Sequence, residues 1–159
     1  DTPDPLENNG FKAVFHDAKR ARMNNGKGVP SIELSDEFPL EGPIYLSPHE
    51  SEQFLPSASS KVYDLQDKLL SLDDIIEFNE KSEDFFPYKE THQIGGYPQF
   101  VNGDPEFLVE DYDNWVVLLT ISSLDGVMFW DAGIAHFLIK RDDLKNLDFS
   151  KVVYYWDCS

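Results

Sequence analysis

Two histidines and three aspartates are the groups in this chain best suited to moving a proton: His92 and His136, with Asp125, Asp131 and Asp157 as carboxylate partners. An imidazole that titrates near neutrality beside a carboxylate can act as a general acid or base, or hold a divalent metal. Nothing in their spacing enforces either role. The chain has no His-x-x-x-His, no His-Glu-x-x-His and no cysteine pair, so no metal set and no cofactor are expected. His136 stands in a stretch of alternating polarity and is expected to point outward from a strand. Cys158 is the only cysteine and has no evident base beside it, and there is no Gly-x-Ser-x-Gly elbow for a serine hydrolase.

Three other clusters compete for a role. Gly95-Gly96, followed by Tyr97 and Pro98, can bring backbone N–H groups close to an anion. The phosphate-binding glycine patterns are absent, however, and a kink that lets two segments pack closely is the better reading. Asp104, Glu106, Glu110, Asp111 and Asp113 form an acidic run with no base between them. Hard cations favour such oxygen clusters, but the glycine and distal glutamate of a calcium loop are missing, and a solvated loop is expected. Trp130-Asp131 and Trp156-Asp157 repeat one pattern, read as a tryptophan filling the core beside an aspartate that caps a turn. The candidate ligand or partner contacts are therefore His92, Tyr97, Asp131, His136 and Asp157. Gly95, Gly96, Pro98, Trp130, Gly133 and Trp156 are expected to serve the structure.

The elements that must position these residues divide the chain in two. Residues 1–10 read as a loose lead-in, rich in Pro, Asn and Gly. Residues 11–20 fit a helix or a short strand, and Asn24 to Gly28 a turn. From Glu37 to Phe54, Pro39, Pro43 and Pro48 forbid a long helix, leaving Ile44-Tyr45-Leu46 as an edge-strand piece. Residues 56–60 read as a linker. Ser71 followed by Asp74 has the form of a helix N-cap, with Leu72, Ile75 and Ile76 on one face, and an earlier turn from Tyr63 to Leu70 can join it.

After Thr91 the pattern becomes β. Residues 94–101 read as a kinked strand, and Trp115 to Ser122 as a strand buried on both faces. Val127–Trp130 and Ile134–Ile139 read as two more, joined by a tight hairpin turn at Asp131-Ala132-Gly133. A helical turn over 142–147 and a last strand over 152–156 complete the chain. Strands joined by short turns, with helix in the first half, predict a single α+β domain whose second half is mainly antiparallel sheet.

Composition narrows the function classes. Thirty acidic residues face thirteen basic ones, a net charge of −17, and residues 91–139 contain no Lys or Arg. Such a field repels phosphate backbones and anionic membranes, so no nucleic acid and no membrane is expected; a basic protein or a cation is attracted. No run approaches the roughly 18 apolar residues of a membrane span. A single thiol suits a reducing compartment, so a cytoplasmic location is expected. The chain opens Asp1-Thr2-Pro3-Asp4-Pro5 without an initiator methionine, which leaves open a preceding segment or a removed export signal.

The stretch from His92 to Cys158 resembles the C-terminal region of the bacterial YwqG-like family (DUF1963), a family of unknown function. The resemblance rests on His92-Gln93-Ile94-Gly95-Gly96-Tyr97-Pro98, Asp104-Pro105, Leu118-Leu119-Thr120-Ile121, the turn after Trp130, Phe137 to Lys140, Asp143-Leu144, Asp148-Phe149 and Trp156-Asp157-Cys158. Residues 38–91 match only in general character. Glu106 and Phe107 stand where the family has an arginine after Asp-Pro. The family's usual N-terminal portion, with its own Gly-Gly motif, is not visible here. The resemblance implies a soluble α+β protein and supplies no catalytic residues.

Acidity and the lack of a catalytic constellation together favour a non-enzymatic protein-interaction module with an unknown, basic partner. An immunity-type protein neutralising a basic toxin is one form of it, because complementary fields speed encounter and fix orientation. The alternative is an enzyme or small-ligand binder built on His92 or His136 with nearby carboxylates, which requires those groups to converge. A structural subdomain that acts only with a further portion is a third reading.

Overall fold

A computed structural model describes residues 13–15, 39, 47–53, 55–56, 58–69, 71, 74, 92–124 and 126–159. Its centre is a three-stranded antiparallel sheet in the order β1-β2-β3. The strands are β1 (Trp115–Ser122), β2 (Ile134–Lys140) and β3 (Val153–Asp157). Each begins within a residue or so of the β-branched and aromatic run that predicts it. The helices are α1 (Ser60–Leu69), α2 (Glu106–Val109) and α3 (Arg141–Lys145), with short 3-10 turns at Tyr112–Asn114 and Phe149–Lys151. The α+β class and the antiparallel second half are as expected. Among the described residues, no helix is long and apolar enough to cross a membrane.

β1 carries a feature that its sequence hides. Val117 pairs with Leu138 but Leu119 pairs with Phe137, so Leu118 is an extra residue, a β-bulge. Before the bulge the odd-numbered residues share a face; after it the even-numbered ones do. The buried positions of the strand follow suit: Val117, Thr120 and Ser122. Directly opposed residues share a face, so one face of the sheet carries Val117, Thr120, Leu138, His136, Val153 and Tyr155. The other carries Ile121, Ala135 and Tyr154.

Each face has its own core. On the first, Val117, Leu138 and Val153 pack with Phe100 and Leu108, flanked by Phe107, Tyr112, Trp115 and Tyr155. On the second, Ala135 packs with Val127 and Phe129, flanked by Ile121 and Tyr154. Burying one such large apolar side chain contributes on the order of 2 kcal/mol.

α3 starts with Asp142 and Asp143 and ends with Lys145, charges that suit its dipole. Leu147, at φ +56°, terminates it in the left-handed region. Asp148 N then donates to Asp143 O at 2.9 Å and Leu147 N to Leu144 O at 3.0 Å, satisfying the last carbonyls.

Three expectations are corrected. Val127–Trp130 is not a strand of the sheet, and within it only Val127 makes an isolated bridge. The turn expected at Asp131-Ala132-Gly133 is present, with Gly133 N donating to Phe129 O at 2.8 Å, but it closes a longer connection, residues 123–133, from β1 to β2. Ser123 is the reason: its hydroxyl accepts from Phe129 N at 2.9 Å and donates to Gly133 O at 2.8 Å, closing the loop on itself. Residues 94–101 form no strand either, and only Gln93 pairs with β1, as a single bridge to Thr120. Residues 58–60 are no linker, since Ser59 is buried, its N–H donates to Pro56 O at 2.9 Å and α1 begins at Ser60. The N-cap expected at Ser71 has its reciprocal hydrogen bonds: Asp74 N donates to Ser71 Oγ at 3.3 Å and Ser71 N to Asp74 Oδ2 at 3.1 Å. Residues 1–10, the turn at 24–28, Ile44-Tyr45-Leu46, Leu72, Ile75, Ile76 and Asp125 lie outside the described residues, as do residues 11–20 apart from 13–15, which belong to no regular element.

Candidate functional site

The chemistry-bearing residues converge on one segment, 92–102, which crosses the first face of the sheet strand by strand. It starts beside β1, where Gln93 N donates to Thr120 O at 3.1 Å and Thr120 N to Gln93 O at 2.8 Å. It passes β2, where the carbonyl of Gln99 lies 2.7 Å from Nε2 of His136. It reaches β3, where Asn102 N donates to Oδ2 of Asp157 at 2.7 Å and Asn102 Nδ2 to Cys158 O at 2.8 Å. Pro98 and Phe100 are buried beneath this strap, and Phe100 meets the His136 ring edge-on at 4.6 Å.

His136 therefore does not point outward. It is fully buried, because the bulge at Leu118 brings Thr120 opposite it on the core face. A carbonyl can only accept, so Nε2 carries the ring proton and Nδ1 accepts from the Thr120 hydroxyl at 2.9 Å. Burial pushes the imidazole down to about 4, against a smaller upward pull from its bond to Gln99. At neutral pH both nitrogens of an uncharged ring are used, Nε2 in holding the strap to the sheet and Nδ1 in tying β2 to β1.

His92 sits at the β1 edge and accepts from Ser122 N through Nδ1 at 3.3 Å; its Nε2 is buried with no hydrogen-bond partner. Asp157 is buried on β3. Burial raises its pKa against the hydrogen bonds from the backbone of 101–102, and Oδ1 is left without a partner of good geometry. No hydrogen bond joins His92, His136 and Asp157 to one another, and they anchor three separate points of the strap. Asp131 is exposed at the tip of the 123–133 loop.

The Gly95-Gly96 kink serves packing. Gln93 Nε2 donates to Gly95 O and to Tyr97 O at 3.2 and 3.0 Å. Gln53 clamps Tyr97 by its backbone, accepting from Tyr97 N at 2.7 Å and donating to Tyr97 O at 3.1 Å. Gly95 and Gly96 hold φ at +74° and +77°, and a Cβ on Gly96 would run into Oε1 of Gln53. The turn leaves Ile94 and part of Tyr97 in solvent.

The acidic run is not a shared cation site. Oδ2 of Asp104 accepts from Ser60 N at 2.8 Å, Ser60 Oγ at 2.7 Å and Ser59 Oγ at 3.0 Å, capping α1 from a distant part of the chain. Tyr112 Oη lies 3.1 Å from Ser59 Oγ, and burial pushes this phenol up to about 12. Asp113 pairs with Lys61, and Asp111 with Lys140 at 3.1 Å. Among the described residues no three His, Cys, Asp or Glu side chains form a group that could hold a metal ion. Asp104→Ala is expected to destabilise the fold by about 2 kcal/mol, measured by urea unfolding, because a cap and a partner of buried Ser59 are lost together. An effect within a few tenths of a kcal/mol would remove this role.

Neither tryptophan of the repeated pair fills the core as expected. Trp130 is 81% exposed and Trp156 37% exposed, and the core positions beside them belong to Phe129 and Val127. Gln53, Gln99, Asn102 and Thr120 carry no signal of their role in the sequence, and Asp104 stands there only as one acid of a run, since each acts through a partner that only the fold supplies.

The described residues define an α+β fold with a three-stranded antiparallel sheet, across which His136 and Asp157 anchor the strap. The family described as Domain of unknown function (DUF1963) matches residues 1–158, and the chain belongs to it. The match extends through the first 91 residues, well beyond the stretch from His92 to Cys158. A search of the curated proteins finds no match.

Proposed function

We propose that this chain is a non-enzymatic protein-interaction module whose partner is basic, acting in the cytoplasm. The observation that carries the reading is the disposition of charge. Every lysine among the described residues lies within ion-pair reach of an aspartate: Lys61 of Asp113, Lys68 of Asp64, Lys140 of Asp111, Lys145 of Asp142, and Lys151 of Asp143 and Asp148. These cations are offset at home, and the chain as a whole keeps a net charge of −17. A basic protein is the macromolecule such a field attracts, and a toxin held by an immunity-type protein is one such pair. The engagement of both His136 nitrogens supports the same reading, since it leaves that ring no free lone pair for a substrate.

One observation favours the second reading, a small-ligand binder: Nε2 of His92 is buried and has no partner. It has no carboxylate bonded to it, and the interaction reading is preferred.

The test is a pull-down from the native host's lysate with this chain as bait, washed at low and then at high salt. A stoichiometric basic partner that survives high salt is the expected result. Recovery of only salt-labile basic proteins, the mark of nonspecific attraction, would overturn the proposal.

A further inference from the structure

One end of the sheet differs from the other in a way that the interaction reading does not yet use. The end where β1 begins and β2 finishes carries Lys140, Arg141, Lys145 and Lys151, each bonded to an acidic residue or, for Arg141, to the Asp113 carbonyl. The opposite end, at the register level of Ser122, Ile134 and Asp157, carries the 123–133 loop. No Lys or Arg occurs anywhere in residues 91–139, so that loop carries no cation of its own.

Among its described residues the loop presents two large apolar side chains. Val127 and Phe129 enter the core, whereas Met128 is 58% and Trp130 81% exposed, with Asp131 exposed beside them. Trp156 adds a half-exposed ring whose centroid is 6.2 Å from that of Phe129. The loop is held fast. Ser123 ties Phe129 N to Gly133 O, Gly133 N donates to Phe129 O at 2.8 Å, and Ser159 Oγ donates to Asp131 O at 3.1 Å.

The backbone is also strained. Trp130 and Ala132 stand at φ +49° and +57°, a region that costs L-residues roughly 1–2 kcal/mol each. A bulky aromatic residue held there with its side chain in water gains nothing from the core in return. Strain that the surrounding structure maintains, around a group that does not pack, points to use by something outside the fold. A pre-ordered tryptophan flanked by methionine is also the composition of an interface anchor.

We infer that the sheet end carrying the 123–133 loop is the docking surface of this module. Its occupant is a basic protein that offers an apolar pocket to the Trp130 indole and a Lys or Arg to Asp131. The inference rests on the interaction reading above and assigns it a place. Trp130 is the anchor, Met128 and Trp156 flank it, and the negative field selects the sign of the partner.

The test uses the full chain, immobilised, against a defined probe: the proteins of the native host's lysate retained on a cation exchanger at neutral pH. Trp130→Ala, Asp131→Asn and, as a control at the far end of the sheet, the half-exposed Leu147→Ala are compared with the parent at high salt. The parent and L147A are expected to retain one stoichiometric protein. W130A is expected to bind it about 30-fold more weakly, the loss typical of an interface anchor, and D131N to slow association. Equal retention by W130A and the parent overturns this surface while leaving the interaction reading intact. Retention of nothing by the parent overturns both. Loss of binding by L147A together with W130A also overturns the assignment, since the effect is then not local. Parent-like circular dichroism of W130A is required for its loss to count; W130F, which keeps an aromatic ring in the same backbone, is then expected to recover part of the affinity, and failure to do so also counts against the anchor.

Discussion

Alanine at position 133 is expected to cost about 3 kcal/mol or more, although it adds a single methyl group. Gly133 is buried at the start of β2, where the 123–133 loop returns and the end of β3 passes alongside. A Cβ there would overlap Asp157 O and stand 2.9 Å from both Phe129 O and Cys158 Cβ. Two of these obstacles are main-chain carbonyls, which cannot rotate aside as a side chain can. Making room means moving β3 away from β2 or opening the loop that Ser123 closes. The first breaks the Ile134–Asp157 pairing, and the second loses the bonds to Gly133 O. Gly95→Ala is the control: φ is +74°, but nothing lies within 4 Å, so only the backbone term of roughly 1 kcal/mol applies. Urea unfolding should show a lower midpoint for G133A at unchanged m-value. A G133A protein as stable as G95A would show that β2 and β3 are not packed as described.

Stability is expected to fall by about 3 kcal/mol as the pH drops from 6.5 to about 4, through His136 alone. In the native state this ring is held down to about 4; released into water it titrates at its ordinary 6.5. Between those values the unfolded chain holds the extra proton, so acid favours unfolding across that window. The loss is complete once the native ring also protonates, near pH 4. Asp157 works in the opposite sense: its carboxyl is raised by burial, so just above its ordinary 3.8 the native state takes up a proton first and offsets part of the loss. Asp74, Asp111 and Asp148 are held below 3.8 by hydrogen bonds, chiefly from Ser71, Asn114 and Ser150, and act only below that window. His136→Gln keeps an amide donor for Gln99 O and removes the titration. Urea unfolding at several pH values should give a flat line between 6.5 and 4.5 for H136Q where the parent slopes. Equal slopes in the two proteins would place the acid sensitivity elsewhere.

These predictions depend on features of unequal visibility in the sequence. β1, β2 and β3 are legible because runs such as Val116 to Ile121 combine β-branched residues with a length that suits a strand. The bulge at Leu118 is not legible, since Val-Val-Leu-Leu offers no sign of which residue is extra. That omission misplaces His136: simple alternation puts it outside, and the shifted register puts Thr120 opposite it in the core. Asp104 reads as one acid among several because the serines it caps lie 44 and 45 residues away. Val127 to Trp130 keeps strand-like alternation, in and out of the core, yet makes only an isolated bridge at Val127; the side chain of Ser123, which has no periodicity to betray it, ties the segment into a loop instead.

The strap has a bearing on how the chain is made. Its anchor points lie ever further downstream: Gln99 waits for His136, 37 residues on, and Asn102 for Asp157, 55 residues on. Synthesis runs from the N-terminus at roughly 5–20 residues per second, so residues 92–102 leave the ribosome before any strand they span exists. Phe100 and Pro98 then stay uncovered until Asp157 has emerged. The local β1-β2-β3 meander, with its shorter loops to close, is the natural nucleus, and the strap locks afterwards. The strap thus owes its order to residues made 37 and 55 positions after it, and a nascent chain from which Asp157 has not yet emerged holds a strap with nothing to close upon at β3.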